Sequence, residues 1–201
     1  MDLILSTRNP SKAEQIKAVF AGLPVRVLTL EEAGVEGEAV EDGTTLSENA
    51  AKKALFGAKE TGKWCIADDT GLFIDALDGR PGIHAARWAG DDASTEDILN
   101  YTLNALKDVP GEKRTAAFRT VAVLARPDGT LVEFMGEAPG SLLEAPRVPF
   151  QPKMPYSAIF VPEGGEKSWA EMTVEEENKV SHRGKAFGQL RDYLASLDEL
   201  V

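Results

Sequence analysis

The stretch "ADDTG", Ala67 to Gly71, sets two carboxylates side by side where an apolar strand reads as ending. Adjacent negative charges near a core are costly unless a cation or hydrogen bonds compensate them. Carboxylate oxygens suit a hard divalent ion such as Mg²⁺. The competing reading is an acidic turn in which Asp69 or Thr70 bonds its own backbone. The strand-end position, where α/β proteins place ligands, weighs towards the metal.

Three further segments carry candidate chemistry. "STRNPSK", Ser6 to Lys12, lies between a strand and a helix start. Amides at a helix N-terminus attract anions, and Thr7, Arg8, Asn9 and Lys12 add donors and charge. The glycines of a Walker loop are missing, and a capped helix with a surface lysine is the plainer alternative. In "EDGTTLSENAAKKA", Glu41 precedes a helix and could join Asp68 and Asp69. Glu48 and Lys52 have the spacing of a helix-surface ion pair, and Lys53, one position further round, points elsewhere. "SHRGKAF" opens a helix with Ser181 as its cap, then His182 and Arg183. Cations there oppose the helix dipole, which suits the binding of an anion or a carbonyl-bearing ring. The other histidine, His84, reads as a loop or packing residue. Cys65, the one cysteine, sits in an apolar strand as an inert thiol, so neither a disulfide nor a Cys-based zinc site is expected.

These segments need a scaffold, and the pattern supplies one. "DLILST" and "VRVLTL" read as strands around a helix over 9–23, the opening of an α/β fold. A helix follows over 45–62, with Gly62 suited to its end. Residues 64–77 read as a strand, an acidic turn and a second apolar stretch, and 79–90 as loop. An amphipathic helix over 94–109, two or three strands over 114–143 turning at "PDG", a short "IFVP" strand and a final helix from Ser181 complete the chain. With 201 residues, 43% hydrophobic, we expect a single domain over 1–201. The net charge of −11 argues against a nucleic-acid strand as partner but leaves room for a small phosphate ligand. No apolar run reaches membrane length, and the expected location is cytoplasmic.

In order and spacing, "TRNPSK", "EDGTTLSENAAKKA", "IADDTGL", "PGIHAARWAG" and "AEMTVEEENKVSHRGKA" resemble the inosine triphosphate pyrophosphatase family along nearly the whole chain. The resemblance implies a long twisted mixed sheet with flanking helices, and two lobes around a nucleotide cleft. It implies Mg²⁺-dependent hydrolysis of a nucleoside triphosphate, typically of a deaminated purine, to monophosphate and pyrophosphate, usually by a homodimer. Carried over, Thr7, Arg8, Asn9 and Lys12 hold phosphates. Glu41, Asp68 and Asp69 hold the metal, with Asp69 as base for the attacking water. Lys53 meets phosphate, Thr70 and Tyr156 the nucleotide, His182 and Arg183 the base, and Arg87 stands near the cleft.

Two departures fall on the nucleoside side. Where the family has Gly-Phe-Gly-Tyr-Asp-Pro, this chain has Lys153, Met154, Pro155, Tyr156, Ser157 and Ala158, within the proline-rich "VPFQPKMPYSAIFVP". Glu177 stands where the family commonly has lysine. The expectation is retained catalysis with a shifted or loosened base preference. Phe150 and Tyr156 are the candidates to replace the lost stacking aromatic.

Overall fold

The computed structural model describes residues 1–197; the last four residues of the expected domain lie outside the described residues. Helix ends follow their caps. In α1 (Pro10–Val19), Asn9 caps the helix, its side-chain oxygen accepting from the Ser11 and Lys12 amides, and Pro10 opens the first turn. Thr45 caps α2 (Leu46–Thr61), which stops at Gly62 in the left-handed region, φ 64°. Ser94 and Asp97 form a capping box on α3 (Thr95–Ala105). Two helices close the described chain. α4 (Val174–Val180) carries a Thr173–Glu176 capping box and was not expected; α5 (His182–Ala195) is capped by Ser181.

The strands are β1 (Asp2–Leu5), β2 (Arg26–Thr29), β3 (Trp64–Ile74), β4 (Pro81–Gly82), β5 (Thr115–Ala125), β6 (Leu131–Leu142) and β7 (Phe160–Pro162). They form one mixed sheet in the order β2-β1-β3-β5-β6-β7, with β4 on the flank of β3. β1 runs parallel to β2 and β3, and the remaining pairs are antiparallel. The α/β architecture with a mixed central sheet and flanking helices is therefore as expected. The acidic turn is not. β3 runs unbroken for 11 residues, with Asp68 and Asp69 in its middle. Turn-forming residue types yield here to a ladder with β5 that reaches from Cys65 to Ile74.

Three apolar clusters build the core. One packs α1 and α5 against one sheet face through Leu3, Leu5, Ile66, Ala122 and Phe187. Another packs α2 on the opposite face through Ile4, Ala54, Cys65, Ala67 and Val123. The third gathers the far ends of β3, β5 and β6 with α3, through Leu72, Ile74, Phe118 and Ile159. Between the first two clusters and the third, the sheet carries a polar band of Asp68, Asp69, Thr70 and, opposite Thr70 on β5, Thr120. β1 pairs with β3 only as far as Leu5 and Ile66, and β4 meets β3 only at Leu72 and Phe73. Among the described residues one edge of β3 is thus without a strand neighbour along the polar band, and the cleft opens there.

Candidate active site

A cleft of about 570 Å³ lies along this band, lined by Ser6 to Asn9, Lys12, Asn49, Lys53 and Asp68 to Thr70 at one end. Because successive strand side chains alternate faces, Asp68 and Asp69 meet different helices. Asp69 faces α2: Lys53 donates to its Oδ1 at 2.9 Å and Asn49 to its Oδ2 at 3.3 Å. The same Lys53 ammonium lies 3.1 Å from Glu41. Burial would lower the Lys53 pKa, but the charges of Asp69, Asp68 and Glu41 outweigh it and hold the ammonium above its ordinary value.

Asp68 faces α1 and α5. Its Oδ2 accepts from Lys12 at 3.0 Å, from Thr70 at 3.0 Å and from the Arg183 Nε at 3.4 Å. Burial favours its neutral form, yet Lys12, Arg183 and Lys53 hold it well below the usual carboxylate range. Arg183 is itself fully buried, with Nη1 donating to Gln15 at 2.6 Å. This pairing accounts for a cation in the first turn of a helix: the guanidinium serves Asp68 underneath the site. Glycine makes the close approach possible. A Cβ on Gly136 of β6 would strike the His182 carbonyl, and one on Gly184 would strike the Asn178 carbonyl.

The structure thus separates the three expected metal ligands. Glu41 and Asp69 converge on one cation, the Lys53 ammonium, whereas Asp68 is occupied on the other side of the strand. Among the described residues no three acidic, His or Cys side chains gather closely enough to hold a metal by themselves. Glu41 and Asp69, which both reach the Lys53 ammonium at the cleft, still fit Mg²⁺, which is held by one or two carboxylates together with substrate phosphates.

The phosphate-loop candidates divide as well. Asn9 spends its oxygen on the helix cap and donates its amide to the Lys153 carbonyl at 3.1 Å. Thr7 accepts from the Asn9 amide, and Arg8 reaches away to Glu38 at 2.9 Å and the Gly37 carbonyl at 2.8 Å. Lys12 is no surface lysine, being paired with Asp68. Arg87 is exposed at the cleft and donates to His84, which is exposed rather than packed. Lys52 pairs with Asp42 at 2.6 Å, while Glu48 accepts from the Thr44 amide, so the expected Glu48–Lys52 pair is replaced by loop contacts. Cys65 is buried and its thiol is pushed up to about 12 by that burial, the inert group expected.

The other end of the cleft is aromatic. The His182 ring stacks on Phe118, centroids 4.8 Å apart at 18°, and tilts against Trp169. Among the described residues neither ring nitrogen has a hydrogen-bond partner. Burial, with Arg183 beside it, drives its pKa well below the ordinary value, so the ring is neutral. Tyr156 lines the cleft but is core-bound, its hydroxyl donating to the Ala85 carbonyl at 2.8 Å. Phe150 packs on the same core from outside. The proline-rich loop folds back through Ser157, which accepts from the Gln151 amide and donates to the Met154 carbonyl. Asn49, Gln15, Phe118, Trp169 and Gln151 escaped the sequence reading. Two had a signal: Asn49 lies one helical turn before Lys53, and Gln15 three residues after Lys12, each on its partner's face.

Comparison with known proteins bears on the family and the fold. The family model described as "Ham1 family" matches residues 3–193. The chain is 42% identical to a protein of Thermoanaerobacter pseudethanolicus named dITP/XTP pyrophosphatase, over 96% of each chain. It is 43% identical, again over 96% of each, to the Geobacter sulfurreducens protein of the same name. A solved HAM1 protein from Coxiella burnetii superposes with a TM-score of 0.84 at 30% identity, covering 98% of this chain and 100% of that one. With its family model spanning the mixed sheet and both ends of the cleft, the chain belongs to the Ham1 family.

Proposed function

We propose that the protein hydrolyses deaminated purine nucleoside triphosphates, such as ITP, dITP and XTP, to the monophosphate and pyrophosphate. The observation that carries this reading is the cleft's polarity. One end presents Asp69 held between Lys53 and Asn49, and the other presents Phe118, Trp169 and a neutral His182. A triphosphate suits the first end and a flat base the second. The names of the relatives supply the substrate class.

In this reading Asp69 takes a proton from a water that attacks the α-phosphorus. The bond from that phosphorus to the bridging oxygen breaks, and pyrophosphate leaves. Asn49 and Lys53 keep the carboxylate aimed, and Lys53 offers its charge to the phosphates. Thr7, Arg8, Asn9 and Lys12 rim the phosphate end, Thr70 the seam, and Tyr156, His182 and Arg183 the base end or its underside. Mg²⁺, held by Glu41 and Asp69, would neutralise phosphate charge when bound. The homodimer implied by the resemblance and the cytoplasmic location expected from the sequence belong to the same reading; among the described residues no helix is long and apolar enough to cross a membrane.

The test is pyrophosphate release with Mg²⁺ from a panel of ITP, XTP, GTP, ATP and pyrimidine triphosphates, with light scattering for the dimer. Faster turnover of the 6-oxopurines than of ATP supports the reading, and no turnover of any nucleotide sinks it.

A further inference from the structure

At the aromatic end of the cleft sits a carboxyl group that the hydrolysis does not use. Glu177 of α4 is 3% exposed, yet it lines the cleft. It makes no ion pair among the described residues. The groups facing it are mainly amides. Gln151 donates from Nε2 to its Oε2 at 3.3 Å, and the Gln15 amide and the Arg183 guanidinium favour its ionised form. Gln151 is in turn steadied by donating to the Trp169 carbonyl at 3.4 Å, and its own amide is fixed on Ser157.

Burying a carboxyl with a long hydrogen bond and, among the described residues, no ion pair is costly. Burial outweighs Arg183 and the amides and leaves its pKa raised. A ligand that brings an N–H to this carboxyl would offset that cost; one that brings a lone pair would add to it. The position is also one where the resemblance predicts lysine, a donor. In this chain the wall presents an acceptor at that place.

We propose that Glu177, oriented by Gln151, is a specificity-determining residue that accepts a hydrogen bond from the lactam N–H of a 6-oxopurine. Hypoxanthine and xanthine carry that N–H beside the 6-carbonyl. Adenine presents an unprotonated ring nitrogen at the same place and meets the carboxylate lone pair to lone pair. Guanine shares the lactam N–H and adds an amino donor, so this device turns away adenine and not guanine. The inference deepens the pyrophosphatase reading and rests on it for the class of ligand.

The test measures binding of the product monophosphates, which needs no turnover. Inosine and adenosine monophosphate are titrated calorimetrically into the wild type, E177Q and E177K, with circular dichroism confirming that each variant folds. We expect the wild type to favour inosine monophosphate by about tenfold or more. E177Q keeps the shape of the side chain, but its amide can also donate to the adenine ring nitrogen, so it should bring the ratio towards unity. E177K replaces the acceptor by the donor that the resemblance predicts, and the lost lactam contact should weaken inosine monophosphate binding relative to the wild type. The same ratio in the wild type and in folded E177Q overturns the proposal, as does equal affinity of the wild type for the two ligands. A wild type that shows the preference, loses it in E177Q and hydrolyses no triphosphate upholds this inference and sinks the pyrophosphatase reading instead.

Discussion

Lys53 donates to one oxygen of Asp69 at 2.9 Å, and so joins the middle of β3 to the second turn of α2. The other Asp69 oxygen is taken by Asn49, one helical turn earlier. The carboxylate is therefore held by two donors from one rigid element, with its orientation set before any ligand arrives.

Asp69→Asn keeps the shape and removes the base. Turnover should fall by roughly 10²–10⁴-fold, while binding of a non-hydrolysable triphosphate persists. Single-turnover pyrophosphate release alongside calorimetric binding separates the two. Loss of binding in step with turnover would make Asp69 a ligand-holding residue only.

Asn49→Ala leaves the base in place but frees one of its oxygens, and it also releases the Gly43 amide that Asn49 accepts at 2.8 Å. We expect kcat to drop about 10–100-fold, with KM changed much less. A KM effect larger than the kcat effect would assign Asn49 to substrate binding.

His182 gives the fold a defined acid sensitivity. Its folded pKa lies well below the ordinary 6.5, burial being the main cause. Below that ordinary value the unfolded chain takes up a proton that the folded ring refuses. Stability should therefore be whole above about pH 6.5 and fall as pH drops towards the folded pKa, by up to about 1.4 kcal/mol per pH unit. His182→Phe removes the titration. Urea melts between pH 7.5 and 5 should show a flatter profile for the variant, and parallel profiles would rule the effect out.

Gly136→Ala and Gly184→Ala each drive a methyl group into backbone carbonyl oxygen, of His182 and Asn178 respectively. Neither oxygen belongs to a flexible side chain that could swing aside. Each change should cost about 1–3 kcal/mol of stability, read from denaturant midpoints at unchanged m-value. Wild-type midpoints would mean that the packing of α5 against β6 and α4 yields more readily than its geometry implies.

The acidic pair and the Ser-His-Arg helix start were legible from residue type alone. What could not be read was the pairing that sorts them. Asp68 and Asp69 look like a turn beside Thr70 and Gly71, and only the long β5 ladder shows that they alternate faces in a strand. Once they do, Asp68 pairs with Lys12 and Arg183, and Asp69 with Lys53, so two carboxylates adjacent in sequence are held from two sides of the sheet while both line the cleft. α4 was missed although Thr173 and Glu176 spell a capping box, because its acidic run lacks an apolar stripe. Gln151 and Ser157 could not have been found: their contacts depend on how a proline-rich loop closes, which no local pattern encodes.

β3 and β5 pass without interruption from the apolar clusters under α1, α2 and α5 to the cluster around α3. Neither half can melt without unzipping a ladder that the other half also uses. The cooperative unit of unfolding is then the whole described chain. Calorimetry should record one transition whose van't Hoff and calorimetric enthalpies agree, and two resolved transitions would show that the polar band is a thermodynamic boundary as well as a chemical one.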